Sequence, residues 1–176
     1  MFTKYLPTFK YMEVNDLVGL RSGHMLSQVP ADENITKVTK GDNKFIENGL
    51  IVGLSATGTV ENFDKSKHPV MFVHFTEELN TLIDELKYFA VEAPDGDKVY
   101  PRCVALYVGD TFTSTNYTGT LSTAKYAKVV NGVPTLQTVA DIDTAFIAVP
   151  SDMPNGDEAV QLTFYRMPTA TPSVNL

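Results

Sequence analysis

The run from Lys98 to Phe112 constrains the fold most, because no other stretch of the chain is as dense in β-branched, aromatic and apolar residues. Turn residues bound it, with Pro94-Asp95-Gly96-Asp97 before it and Gly109-Asp110 near its end. Both sets of alternating positions are largely apolar, which is typical of a strand covered on both faces. The run therefore predicts a central strand, with the rest of the chain as its cover.

Several other segments predict strands that pack around this one. Val70–Phe75 is apolar except for His74, so we expect it beside the central strand. Leu50–Leu54 and Thr59-Val60 flank a Gly-bearing turn and predict a hairpin. Asn131-Gly132 is the strongest hairpin signal in the chain, and inward and outward residues alternate from Val160 to Phe164 in the last predicted strand.

One segment has helical periodicity. Apolar residues at helical spacing form a single stripe that consists of Leu79, Leu82, Ile83 and Leu86. Thr76 can cap this helix and Lys87 lies in its last turn, which predicts a helix over residues 76–87 that packs on the sheet. The predicted fold class is a β-rich α+β protein, an antiparallel sandwich or small barrel with one packed helix and extended termini.

The 176 residues suit one domain with long arms. We expect an N-terminal arm over residues 1–13, a single β-rich domain over residues 14–166 and a C-terminal tail over residues 167–176.

The arm is rich in large apolar side chains but has neither helical nor strict two-residue periodicity, and Pro7 interrupts it. The arm either covers its own domain or reaches a neighbouring subunit, and the sequence favours neither. The second alternative predicts four partner-contact residues, Phe2, Tyr5, Phe9 and Tyr11.

Charge and cysteine content limit the partners and the compartment. Fourteen Lys and Arg stand against 21 Asp and Glu, a net charge of −7 without a basic run, which disfavours nucleic acid and anionic membranes. The start of the chain lacks the pattern of a secretion signal, so we expect folding in a reducing cytosol. The single cysteine, Cys103, lies in the central run and is expected to be a buried core residue rather than a nucleophile.

No catalytic or metal-binding pattern emerges from the sequence. The histidines His24, His68 and His74 occur in unrelated contexts, without a ligand partner at the spacing of a zinc site. The pairs Asp95/Asp97 and Asp141/Asp143 could coordinate a cation, although acidic turns are more often solvated. We therefore expect no enzymatic activity, no cofactor and no metal.

Three segments carry a resemblance to a known family: Glu47–Leu54, His74–Leu79 and Tyr100–Phe112. In these segments, and in its Thr- and Gly-rich β body, the chain resembles the decoration or cement proteins of tailed-bacteriophage heads. The resemblance covers about residues 14–166 and defines no residue roles. It implies a virion structural subunit, made in the host bacterial cytoplasm and bound to the capsid exterior.

The partners implied by the resemblance are the major capsid protein and neighbouring copies of the chain, with a homotrimer among the assemblies known for the family. The alternative is a β-sandwich binding module of a phage fibre or receptor-binding protein that recognises sugar or protein. The absence of Trp, a favoured platform for sugars, speaks against this alternative.

Overall fold

The computed structural model describes residues 12–13, 25–26, 28–40, 42–75, 90–153 and 156–169. Fourteen strands run through these residues. In chain order they are β1 (Met12–Glu13), β2 (Met25–Leu26), β3 (Val38–Lys40), β4 (Asn43–Glu47), β5 (Ile51–Leu54), β6 (Val60–Asn62), β7 (Phe72–His74), β8 (Ala90–Glu92), β9 (Cys103–Ala105), β10 (Thr111–Ser114), β11 (Tyr126–Val130), β12 (Val133–Gln137), β13 (Thr144–Asp152) and β14 (Glu158–Phe164).

The strands form three antiparallel sheets, as expected for a β-rich chain. A six-stranded sheet has the order β1-β10-β14-β13-β11-β12, a five-stranded sheet β2-β9-β7-β5-β6 and a three-stranded sheet β3-β4-β8. Each sheet ends in two outer strands, so the described residues form no closed barrel and the small-barrel alternative is wrong.

The five-stranded sheet is the middle layer, because its two faces contribute to different apolar clusters. Val73 and Val104 lie opposite each other and pack with residues of the six-stranded sheet such as Phe146. On the other face, Phe72 and its neighbours pack with Ile46 of the three-stranded sheet. In this middle layer β9 is apolar at every position because both of its faces are buried, as the sequence pattern indicated.

The predicted central strand over Lys98–Phe112 is wrong in its extent. The chain forms β9 in the middle sheet, turns at residues 107–110, and continues as β10 in the six-stranded sheet. Asp110 makes this turn, because its carboxylate accepts a 2.7 Å hydrogen bond from the Tyr107 backbone N–H, and Gly109 adopts a φ of +104°. The side chains of Tyr107 and Val108 are exposed at the turn. The prediction placed them in a strand because it relied only on the number of apolar residues in the run.

Other strand predictions are confirmed. β7 pairs with β9, as expected for the Val70–Phe75 segment. β5 and β6 form the predicted hairpin, and Asn131-Gly132 joins β11 to β12 with positive φ at both residues, as a two-residue hairpin turn requires. In β14, Val160, Leu162 and Phe164 face the core, in agreement with their alternation.

Two outer strands also pair with a loop of the same chain. Beside β12, the Thr118 backbone donates to the Pro134 carbonyl and accepts from the Leu136 N–H. Beside β6, the Val60 N–H donates to the Pro30 carbonyl, and the Val60 carbonyl accepts from Asp32. Both contacts are parallel bridges.

The described residues contain no α-helix, and their single helical segment is the 3-10 turn Leu121–Thr123. The predicted helix over residues 76–87 lies outside the described ranges, so the packed helix of the predicted fold class is not confirmed. Residues 1–11 of the predicted arm also lie outside these ranges, and the arm's last two residues form β1 opposite Ser114 and Thr113 of β10.

Candidate functional site

An open polar cleft lies where the edge of the middle sheet meets the β11–β12 hairpin of the six-stranded sheet. Its volume is about 410 Å³. The side chains that matter for its chemistry come from four separate segments and are Asp32, Asn34, Glu61, Asn62, Asn131 and Asp143. We refer to it as the Glu61 cleft.

Thr36 joins the two walls of the Glu61 cleft at one end. Its backbone N–H donates to the Asn62 side-chain oxygen over 3.0 Å, and its hydroxyl donates to the Asn131 carbonyl over 2.9 Å. The Ile51 N–H also donates to the carbonyl of Gly132, which ties the hairpin turn to β5. A side chain on Gly132 would meet Leu50 at 2.8 Å, so the close approach of the two sheets requires glycine there.

At the other end, an ion pair between Lys65 and Asp143 connects the walls. The loop that carries Asp143 is held by Asp141, whose carboxylate accepts hydrogen bonds from Gln137, from the Thr144 hydroxyl and from the Asp143 N–H. The hydrogen bond from Gln137 is the main reason why the pKa of Asp141 falls to about 2. Asp141 therefore stays charged across the physiological range and fixes Asp143 at the cleft.

A buried imidazole positions the Glu61 carboxylate. The Asp64 backbone N–H donates to His68 Nδ1 over 2.9 Å, so the proton of the neutral ring is on Nε2, which donates to Glu61 Oε1 over 2.9 Å. The His68 side chain is buried, whereas Glu61 remains partly exposed. The ring lies flat against Gly53, where an added Cβ would approach His68 Cγ to 2.2 Å.

Asp64 stabilises the loop that carries the imidazole. Its carboxylate accepts from the hydroxyl and the backbone N–H of Ser66, and its carbonyl accepts from the backbone of Lys67 and His68. The hydrogen bond from the Ser66 hydroxyl is the main reason why the pKa of Asp64 lies below its ordinary value.

A second surface of interest is the outward side of the six-stranded sheet. One row across the strands consists of Thr111, Thr163, Ile147, Tyr126 and Gln137, and the next consists of Thr113, Gln161 and Val149. None of these side chains is charged, but charged residues border them, since the second row continues to Glu13 of β1, opposite Thr113, and Gln137 donates to the Asp141 carboxylate. Thr113 is buried, while Ile147 is 42% and Val149 is 49% exposed. We call these eight residues the outer face.

Two candidate residues from the sequence lie in the core. Cys103 is fully buried, as expected, and burial raises the pKa of its thiol to about 12, which makes it a poor nucleophile. His74 lies opposite Cys103 and is also fully buried. Its Nδ1 donates to the Arg102 carbonyl over 2.8 Å, and its Nε2 makes no hydrogen bond that meets standard geometry within the described chain.

Burial is the main cause of the low pKa of His74, about 4, and the carbonyl groups of Arg102 and Ile46 oppose it. The imidazole is therefore neutral near pH 7.

The other predicted candidates are dispersed. Asp95 pairs with Lys44. Both members of the second aspartate pair form ion pairs, Asp141 with Lys128 and Asp143 with Lys65. The described residues contain no group of three or more His, Cys, Asp or Glu arranged to hold a metal. His24 lies outside the described ranges, as do all four predicted partner-contact residues, Phe2, Tyr5, Phe9 and Tyr11.

Sequence reasoning missed the Glu61–His68 pair. The two residues are seven positions apart on either side of an irregular loop, where neither helical nor strand periodicity brings them together. The only available signal was the loop composition, Asp64-Lys-Ser-Lys67, because Asp and Ser favour turns that return the chain on itself.

No family model, curated protein or solved structure matches this chain. In the part of the chain that is described, no helix is long and apolar enough to cross a membrane.

Proposed function

We propose that this chain is a virion structural protein, a decoration or cement subunit that binds and stabilises a phage capsid lattice. The observation that carries the proposal is the uncharged outer face. Depletion of charge distinguishes the centre of a protein interface from the rest of a surface, and this chain has a net charge of −7 overall. Seven exposed or partly exposed positions without a charge, with Glu13 and Asp141 at their border, therefore favour contact with another protein at the centre of the face.

The outer face is also suited to contact by its shape and chemistry. Thr111 and Thr163 satisfy each other through a 3.0 Å hydrogen bond between their hydroxyls, which lowers the cost of covering them. Ile147 and Val149 supply apolar area at the middle of the face. Since side chains on one face of a pleated sheet stand beside each other across the strands, they form a broad surface rather than a groove.

The N-terminal arm is the second element of the proposal. β1 brings residues 12–13 to the outer edge of the same six-stranded sheet, beside β10. Residues 1–11 precede this edge strand, and the proposed contacts Phe2, Tyr5, Phe9 and Tyr11 belong to them. The last two residues of the arm and the outer face therefore belong to one sheet, and we propose that the arm and the face both contact the major capsid protein or neighbouring copies of the chain.

The proposed location is the capsid exterior, after synthesis in the host bacterial cytoplasm, with a homotrimer as one arrangement of the copies. The acidic chain has no role with nucleic acid or membranes in this proposal, and no catalytic role.

The test is whether intact phage particles carry the chain on their heads. An antibody raised against the purified protein should precipitate whole particles and label the outer surface of their heads in electron micrographs. Quantitative mass spectrometry should find the chain in a fixed ratio to the major capsid protein. Detection in the soluble fraction of lysed cells, with none on particles, would rule the proposal out.

The Glu61 cleft favours a second candidate, a β-sandwich binding module of a phage fibre or receptor-binding protein. A sugar-binding module is expected to place aromatic side chains in an exposed groove with carboxylates or amides beside them. The cleft meets the second requirement, through Glu61, Asn62 and Asn131. Its one aromatic residue, Phe63, is only 8% exposed, so it offers no ring for stacking. Binding of sugar or protein by the isolated chain, without capsids, would support this candidate.

A further inference from the structure

We propose that the Glu61 cleft binds a neutral saccharide through hydrogen bonds to its hydroxyl groups. The inference rests on the second candidate function and gives it a site, a ligand class and a recognition mode. It does not depend on capsid binding.

The polar groups of the cleft are held in place before a ligand arrives. Glu61 is fixed by the buried His68 ring, Asn62 by the Thr36 N–H and Asp143 by Lys65. Asp32 accepts two hydrogen bonds from Asn34, at 2.9 and 3.2 Å. A site with fixed side chains loses little conformational entropy on binding, which reduces one of the costs of recognition.

The fixed carboxylates of the cleft still have oxygens that can accept hydrogen bonds from a ligand. In each of Asp32, Glu61 and Asp143, the hydrogen bonds within the described chain involve one carboxylate oxygen and not the other. The remaining oxygens are acceptors, and the amide groups of Asn62 and Asn131 add donors. A sugar hydroxyl both donates and accepts, so it matches a lining that mixes the two.

The charge and the volume of the cleft limit the class of ligand. The carboxylates of Asp32, Glu61, Asp64 and Asp143 outnumber the ammonium groups of the cleft, which belong to Lys65 and Lys67. This excess disfavours sialic acid, phosphate and other anionic ligands. The cleft volume of about 410 Å³ falls in the range of roughly 300–1,000 Å³ that is usual for small-molecule sites.

Phe63 sets the mode of recognition. Since its ring is mostly covered, the cleft offers little stacking surface and binding must come from hydrogen bonds. We therefore expect modest affinity for a single sugar and a preference for ligands with vicinal hydroxyls, which can contact one carboxylate through two hydrogen bonds.

The experiment is a glycan array probed with the purified, labelled full chain, followed by calorimetry with a retained neutral oligosaccharide. The array should retain the protein on neutral glycans and not on their sialylated or phosphorylated counterparts. Retention only on acidic glycans, or on none, would overturn the inference. Binding of spermidine at the cleft without binding of any glycan would also overturn it, because it would identify a site for cations.

Two variants test the location of the ligand. Glu61→Gln keeps an oxygen for His68 but removes the charge, and we expect about tenfold weaker binding, as for the loss of one charge-assisted hydrogen bond. Asn34→Ala, at an exposed position, should also weaken binding without affecting the fold. The matched control is Glu158→Gln, which removes an exposed carboxylate at the start of β14, away from the cleft, and should leave affinity unchanged. If all three variants bound the oligosaccharide as tightly as the wild type, the cleft would not be the binding site.

The outcome is independent of the first proposal. A chain that labels phage heads but retains no glycan contradicts the saccharide site alone. A chain that binds glycans through the cleft but is absent from particles contradicts the decoration role alone.

Discussion

Gly53 and His68 are in such close contact that no other residue fits at position 53: a Cβ there would lie 2.2 Å from Cγ of the ring. We predict that Gly53→Ala displaces the buried imidazole and lowers the free energy of unfolding by about 1–3 kcal/mol, as for overpacking of a core. Urea denaturation measures the loss. In a His68→Ala background the same substitution should cost much less, since the clashing ring is gone. Equal costs in the two backgrounds would show that the clash is relieved elsewhere.

His74 should make the protein sensitive to mild acid. The folded state keeps the imidazole neutral down to its pKa of about 4, whereas the unfolded chain takes up a proton below about pH 6.5. The stability due to His74 is therefore complete above pH 6.5 and is lost as the pH falls towards 4. Between pH 6.5 and 5 the expected loss is about 2 kcal/mol.

The measurement is the urea midpoint at several pH values for the wild type and for His74→Gln. The variant retains a polar side chain but no group that titrates in this window, so its midpoint should vary less between pH 7 and 5. If both proteins lost stability in parallel, carboxyl groups rather than His74 would control the response to acid.

A charge on the outer face should weaken capsid binding without unfolding the protein. Ile147→Asp places a carboxylate at the centre of the face, at a site exposed enough that the free energy of unfolding should change by less than about 1 kcal/mol. Binding to phage heads in co-sedimentation should fall by about tenfold or more, which corresponds to at least 1.4 kcal/mol. Val139→Asp is the control, since Val139 is 73% exposed but lies in the loop after β12. An equal effect of both substitutions would indicate repulsion by net charge instead of a specific face.

Deletion of residues 1–11 should remove capsid binding and preserve the fold. The truncated chain keeps Met12 and Glu13, so the edge strand β1 can still form. Fully buried large apolar side chains contribute about 1.5–3 kcal/mol each before ordering costs, so the loss of Phe2, Tyr5, Phe9 and Tyr11 should be measurable in binding. Thermal denaturation of the isolated protein provides the comparison. A large drop in stability with binding retained would assign these aromatics to the core of their own subunit.

Local signals in the sequence were sufficient for those parts of the fold that depend on neighbours along the chain. Asn131-Gly132 predicted its hairpin because both residues tolerate positive φ, and the alternation in β14 predicted which side chains face the core. The division of Lys98–Phe112 into two strands was not predictable from apolar content. The division depends on a hydrogen bond from the Tyr107 backbone N–H to the Asp110 carboxylate. The presence of an aspartate in an apolar run does not indicate which backbone group its side chain will contact.

The candidate sites could not be predicted from the sequence, because they too depend on contacts between segments that are distant along the chain. The Glu61 cleft combines segments that are up to about a hundred positions apart, as the contact between Thr36 and Asn131 illustrates. The outer face depends on strand order, since Ile147 and Thr163 become neighbours only when β13 pairs with β14. Periodicity along one strand predicts which face a residue occupies, but not which strands lie beside it.

The two loop bridges, at Thr118 beside β12 and at Pro30 and Asp32 beside β6, have a consequence for crowded copies of the chain. Exposed strand edges are templates on which identical proteins add strands to one another and grow into fibrils. At these two edges the chain's own loops already pair with the N–H and carbonyl of Val60 and with the Pro134 carbonyl and Leu136 N–H. Copies concentrated on one surface would therefore contact each other through side chains at these edges. Close packing of the copies would not favour the addition of strands along β6 or β12.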